Sequence, residues 1–188
     1  MNKELEILKK EVMKCTKCEL YRNRTNTVFS DGPEETIVMF IGEGPGADED
    51  REGIPFVGKA GQLMNKAFIG LGIDRQKVYI ANIVKCRPPG NRTPEKAEAD
   101  ACLDYLKTQI KVVKPKIVVL LGNTALKNIL GYEYGITSSR GKWIIKNDIK
   151  YMPTFHPSAL LRDEKKKIEF WNDLKLVVEE MKSGRIEE

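Results

Sequence analysis

Three apolar runs without polar alternation constrain the fold of this 188-residue chain more than any other feature. They are Thr36-Ile37-Val38-Met39-Phe40-Ile41, Val78-Tyr79-Ile80-Ala81-Asn82-Ile83-Val84 and Lys116-Ile117-Val118-Val119-Leu120-Leu121-Gly122. A strand that is apolar on both faces needs cover on both faces, which a parallel sheet with crossover helices supplies. Helical patterns alternate with these runs. Leu5, Leu8 and Val12 mark a first helix ending at Cys15, and Leu63, Ala67, Phe68 and Leu71 a second, closed by Gly72. Thr93 and Pro94 read as N-cap and N1 of a long helix whose apolar face carries Cys102, Leu106, Ile110 and Val113, with Pro115 ending it. Asn123-Thr124 caps a short helix to Leu130. Asn147-Asp148 reads as a hairpin turn whose second arm continues through Phe155 into His156. Ile168, Trp171, Leu174, Val178 and Met181 line a last helix. No repeat, linker or low-complexity segment interrupts the pattern, so one α/β domain is expected over 1–188.

The first strand runs into Gly42-Glu43-Gly44-Pro45-Gly46-Ala47-Asp48-Glu49-Asp50, continuing to Pro55-Phe56-Val57-Gly58-Lys59-Ala60-Gly61. Glycines at alternate positions let the chain turn sharply at a strand's carboxyl end, where open α/β sheets hold ligands. The stretch does not read as a phosphate cradle. A dinucleotide fingerprint needs Gly-x-Gly-x-x-Gly leading into a helix, whereas here the spacing is Gly-x-Gly-x-Gly and the next helix is expected only near Gly61. Pro45 removes a donor, no Gly-Lys-Ser/Thr follows, and Asp48, Glu49, Asp50 and Glu52 would repel a phosphate. The loop suits an uncharged ligand such as a base.

The net charge of +5 favours a polyanionic partner, and a Lys-rich solvated surface gives the same number. No stretch approaches the roughly 20 apolar residues of a membrane span, so no membrane contact is expected. Met1-Asn2-Lys3-Glu4 opens an amphipathic helix and not a signal peptide, which points to a cytoplasmic protein. In that setting the four cysteines argue for a metal site over disulfides. Cys15 and Cys18 form a C-x-x-C, while Cys86 follows a strand and Cys102 lies inside a helix. Such an asymmetric set suits an iron–sulfur cluster at least as well as zinc, and the spacing leaves that choice open. The alternative is that Cys102 is a core residue and Cys86 incidental.

His156 is the only histidine, within Thr154-Phe155-His156-Pro157-Ser158-Ala159-Leu160-Leu161-Arg162. It ends a strand on the same edge as the glycine loop; the plain reading is a histidine satisfied by backbone. Leu160 and Leu161 either begin a core face or, exposed, form a wedge able to enter a base stack, with Arg162 holding phosphate beside it.

These residues resemble the family 4 uracil-DNA glycosylases, the iron–sulfur type common in archaea and bacteria. The resemblance spans nearly the whole chain and rests on Gly42–Gly46, Pro55–Gly61, Asn82-Ile83-Val84-Lys85-Cys86-Arg87-Pro88-Pro89, His156–Arg162 and the cysteine spacing. It implies a three-layer αβα sandwich around a four-stranded, mainly parallel sheet. It also implies a structural [4Fe–4S] cluster on Cys15, Cys18, Cys86 and Cys102. The implied partner is uracil-containing DNA, bound by a monomer of nucleoid-associated function; any sliding-clamp contact is not legible in the sequence. The implied reaction cleaves the bond from uracil to deoxyribose in base excision repair and leaves an abasic site.

The resemblance implies roles that make physical sense. A base must leave the stack to be cut, and uracil needs a pocket that reads its edge. Phe56 stacks on the ring; Asn82 donates to O4 and accepts from N3–H, a pairing that cytosine reverses. Backbone near Gly42, Glu43 and Gly44 closes the remaining edge, and His156 donates to O2 as charge develops there. Lys59, Ser158, Leu160, Leu161 and Arg162 would meet DNA. Family 1 enzymes carry an Asp where this chain has Gly44. Glu43 is therefore the candidate for positioning water, and Glu49 could sit near C5 and exclude thymine; either could equally be a loop-stabilising acid. No pocket lysine stands out as a Schiff-base nucleophile, so no lyase step is expected. The competing reading is a non-catalytic zinc or iron–sulfur module that binds nucleic acid or a polymerase.

Overall fold

In the computed structural model, which describes residues 2–183, five strands form one sheet in the order β2-β1-β3-β5-β4. Met1 and 184–188 lie outside the described residues. Strands β1 (Val38–Gly42), β2 (Tyr79–Asn82), β3 (Ile117–Leu121) and β5 (Ile149–Thr154) pair in parallel. The fifth strand, β4 (Ile144–Lys146), pairs antiparallel with β5 and corrects the expected count of four. The hairpin turn lies where Asn147-Asp148 placed it, both residues having positive φ (51° and 62°) as a type I′ turn requires. Its first arm joins the sheet's free edge, and Ile145 and Lys146 remain exposed there.

Alternation within each apolar strand fills two cores. Met39 and Ile41 of β1 and Val118 and Leu120 of β3 pack under α1 (Lys3–Met13), α4 (Lys96–Val113) and α5 (Asn123–Ile129). Val38 and Phe40, with Val119 and Leu121, pack under α3 (Lys59–Leu71) and α7 (Glu164–Ser183). Helices thus cover both faces, and the three layers expected from the strand pattern are present.

Helix boundaries differ from the sequence reading where side chains cap the backbone. Helix α1 stops at Met13, with Lys14 as its cap. Helix α4 starts at Lys96 because the Glu98 carboxylate reaches back to the Glu95 N–H at 2.8 Å, so Pro94 is not its first residue. The acidic run is itself a helix, α2 (Ala47–Glu52), and α3 begins at Lys59 rather than Gly61. Helix α7 buries Phe170, Leu174 and Val177, while Ile168 is exposed. The short α6 (Ile136–Ser139) leads into the hairpin. No helix among the described residues is long and apolar enough to cross a membrane.

Candidate active site

The carboxyl ends of the parallel strands converge on one cleft of about 320 Å³. Register places Gly42, the last residue of β1, beside Asn82, the last of β2. The Ile83 and Val84 amides donate to the Gly42 and Glu43 carbonyls at 3.0 and 3.1 Å, fixing the glycine loop against the chain beyond Asn82. Strand β5 brings in His156 two residues after its end. Gly44, Phe56, Asn82, His156, Glu43 and Glu49 all line the cleft; Gly42 does not line it and instead lies against the Asn82 and Phe56 side chains.

Three tight approaches shape the cleft. A Cβ on Gly42 would fall 2.5 Å from both the Asn82 Oδ1 and the Phe56 Cζ, so only glycine lets these two side chains close together. Phe56 is buried and adopts φ 54°, a left-handed conformation uncommon for a bulky residue. A Cβ on Gly61 would meet the Phe56 carbonyl oxygen at 2.0 Å, so the first turn of α3 needs glycine at this position for the Phe56 turn to fit. The Phe56 and His156 rings lie 5.5 Å apart, tilted by 34°.

Asn82 is 2% exposed, and its Oδ1 is the one buried side-chain polar atom without a hydrogen-bond partner among the described residues. Leaving a buried acceptor unpaired costs about 1–3 kcal/mol, which a ligand N–H arriving there would recover. His156 is half-buried, and the backbone N–H of Ser158 donates to its Nδ1 at 3.1 Å. An amide N–H can only donate, so Nδ1 accepts and the ring proton of the neutral imidazole resides on Nε2. Burial lowers the His156 pKa to about 4, which keeps the ring neutral near pH 7. The residue is thus a fixed neutral donor.

The two loop carboxylates differ in their surroundings. Glu49 accepts from the amides of Val57 (2.9 Å), Gly58 (2.8 Å) and Gly46 (3.1 Å), stapling both limbs of the loop. Glu43 accepts from the Thr124 hydroxyl at the start of α5. Thr124 reads in sequence as a helix cap, and its approach to Glu43 depends on a contact 81 positions away. Asp50 of the acidic run is buried and accepts from the Thr25 and Asn26 amides. That bond explains why so charged a segment packs inward.

Lys59 and Ser158 are exposed and line the cleft, and Leu161 and Arg162 are exposed a few residues beyond Ser158. Leu160 is not: a 3₁₀ turn over Pro157–Leu160 drives it into the core beneath α3 and α7, at 1% exposure. An exposed Leu160-Leu161 wedge therefore reduces to Leu161, 43% exposed. Two basic residues near the site carry roles the sequence hides. Lys85 is fully buried, and its Nζ donates to the Asn82 carbonyl (3.0 Å) and the Gln109 Oε1 (2.6 Å). Arg75, from the turn after α3, bonds the Pro55 and Phe56 carbonyls. Neither pairing has a signal in local spacing.

Cys15, Cys18, Cys86 and Cys102 line one small cavity with Tyr105, Lys85 and Arg24. The Arg24 guanidinium donates to Cys86 Sγ at 3.4 Å and to the Cys15 carbonyl at 2.8 Å. Among the described residues no three such side chains are drawn close enough to form a finished metal cage. The donor set nonetheless fits a thiophilic centre: four thiols, three cations (Lys17, Arg24 and Lys85) and no competing carboxylate in the lining. Burial pushes the Cys102 thiol up to about 11 and those of Cys86 and Cys18 upward, so binding a cation there would displace protons.

Comparison with known proteins follows the same residues. The family model "Uracil DNA glycosylase superfamily" matches 29–175, a span containing Gly42, Phe56, Asn82 and His156. A Type-4 uracil-DNA glycosylase of Thermotoga maritima is 47% identical over 163 residues, 85% of this chain and 84% of that protein. One from Sulfurisphaera tokodaii is 46% identical, covering 84% of this chain and 76% of that protein. One from Archaeoglobus fulgidus is 37% identical, covering 93% and 92%. Identity of that extent, on a sheet edge with this pocket, places the chain in the uracil DNA glycosylase superfamily and, within it, among the Type-4 uracil-DNA glycosylases.

Proposed function

We propose that this chain excises uracil from DNA as a monofunctional glycosylase, and that residues 1–188 act as one catalytic domain. The observation that carries the reading is the unpartnered Asn82 Oδ1, buried beside Phe56. In a flipped uracil the N3–H supplies the donor that this oxygen lacks, and the Asn82 amide N–H₂ donates to O4. Cytosine presents an acceptor at N3 and a donor at C4, leaving both Asn82 groups opposed. The Phe56 ring stacks on the base. The N1–C1′ bond breaks with its electron pair passing to uracil, and the Nε2–H of His156 stabilises the anion at O2 as it forms. A neutral donor suffices, so His156 transfers no proton. Water adds to C1′ and yields its proton through Glu43, which Thr124 orients; its oxygen completes the abasic sugar. Glu49 serves chiefly to hold the loop.

Cys15, Cys18, Cys86 and Cys102 would hold a structural [4Fe–4S] cluster, which supplies a crosslink between the chain after α1, the chain after β2 and α4. Leu161, Arg162, Lys59 and Ser158 face uracil-containing DNA, and the protein works as a cytoplasmic, nucleoid-associated monomer. The test is incubation with uracil-containing and matched thymine-containing oligonucleotides, followed by alkali. Breaks at uracil alone are expected; intact uracil strands would overturn the reading.

A further inference from the structure

We infer that Arg75 is a positioning residue for uracil excision, setting the Phe56 ring and hence the width of the base slot, and not a DNA-phosphate contact. The inference rests on the proposed uracil pocket. All five guanidinium N–H groups are taken within the protein. Nε and Nη2 donate to Asp31 Oδ2 at 3.1 and 3.0 Å, Nη2 to the Pro55 carbonyl at 2.6 Å, and Nη1 to the Phe56 carbonyl at 3.0 Å and Asn65 Oδ1 at 2.8 Å. No donor is left for a phosphate, although the residue is a cation near a DNA-facing cleft.

The two carbonyls it grips flank the left-handed turn at Phe56. A bulky residue at positive φ persists only where its surroundings over-determine it. Arg75 supplies that constraint from one side and Gly61 permits it from the other. The far end of the clamp is equally fixed. Asp31 pairs with Ile80 of β2 through two backbone bonds, Asp31 N–H to the Ile80 carbonyl at 2.9 Å and the reverse at 2.8 Å. Strand β2 ends on Asn82. The stacking ring and the edge-reading amide are thereby tied to one strand, and Arg75 is the link between them. A planar five-donor fork can grip two successive carbonyls, a side-chain amide and a carboxylate at once; a lysine ammonium cannot.

The test compares R75K, R75M and N65A with the wild type in single-turnover uracil excision, together with affinity for an abasic-site duplex and thermal melting of each. The wild type reports on the pocket reading by itself: no excision by the wild type overturns that reading, whereas excision by the wild type isolates the role of Arg75. For R75K and R75M, assayed well below their melting temperatures, the excision rate should fall on the order of a hundredfold, the scale of a misplaced reacting group. Abasic-duplex affinity should stay within about twofold, since no phosphate contact is lost. N65A, which removes a single acceptor and keeps the fork, should lie between them and the wild type. An unchanged rate in folded R75K would overturn the inference. So would duplex affinity falling in parallel with the rate and a flattened salt dependence, the signature of a phosphate ligand. If R75M does not fold, R75K and N65A decide the matter.

Discussion

Asn82 and His156 line the same cleft in opposite hydrogen-bonding states. Asn82 is left one bond short, whereas His156 has its acceptor nitrogen filled by the Ser158 amide so that Nε2 keeps its proton. The depressed pKa of His156, about 4 against an ordinary 6.5, comes from burial and gives two signed expectations. The excision rate should not decline through an ionisation near pH 6.5, since the ring stays neutral well below that; a log rate–pH profile centred near 6.5 would contradict a neutral donor. Stability runs the same way. Between about pH 6.5 and about 4 the unfolded chain takes up a proton that the folded chain refuses, so stability conferred by the neutral ring is lost as pH falls through that window. Melting temperatures of the wild type and H156Q should therefore diverge below pH 6.5, with the wild type losing more.

At the scale of elements, neighbouring residues in one turn have unequal duties. Leu160 is buried under α3 and α7 and Leu161 is exposed, so L160A should cost about 2–4 kcal/mol of stability. L161A should leave melting unchanged and weaken excision from duplex DNA more than from single strands, if it acts as the wedge. Denaturant titration and paired rate measurements separate the two. Gly42 makes a sharper case. Alanine there meets both Asn82 and Phe56 at 2.5 Å, so G42A should close the slot and lower the rate by at least about a hundredfold, as a misplaced reacting group does. Which elements exist was legible because the strands are apolar on both faces and the hairpin turn carries residues that tolerate positive φ. What was hidden depends on distant partners. Helix α2 has no apolar stripe and is held by Asp50 reaching Thr25 and Asn26. The phase of α7 is set by Phe170, and the fate of Leu160 by a 3₁₀ turn that local spacing does not announce. Of the candidate site, Gly42, Phe56, Asn82 and His156 were legible as motif residues. The grip of Arg75 and the duty of Glu49 became visible only through contacts spanning the fold.

Across the whole molecule, the thiol cavity and the base pocket are joined by short covalent distances. Cys86 lies four residues beyond Asn82, and buried Lys85 between them bonds the Asn82 carbonyl. A cluster held there would brace the strand end that carries Asn82. The preparation should be brown and absorb broadly near roughly 400 nm, as such iron–sulfur centres do. C102S should lose that colour and melt at lower temperature; a colourless wild type with stoichiometric zinc would contradict the cluster. The most direct test of the central claim, that the buried Asn82 amide selects uracil, is single-turnover release of free base from uracil-containing duplexes by the wild type and N82A, with abasic-duplex affinity measured alongside. The account predicts a loss on the order of a hundredfold or more in release, as for an interaction that matures in the transition state, with affinity nearly unchanged. Equal release by the two proteins would contradict it.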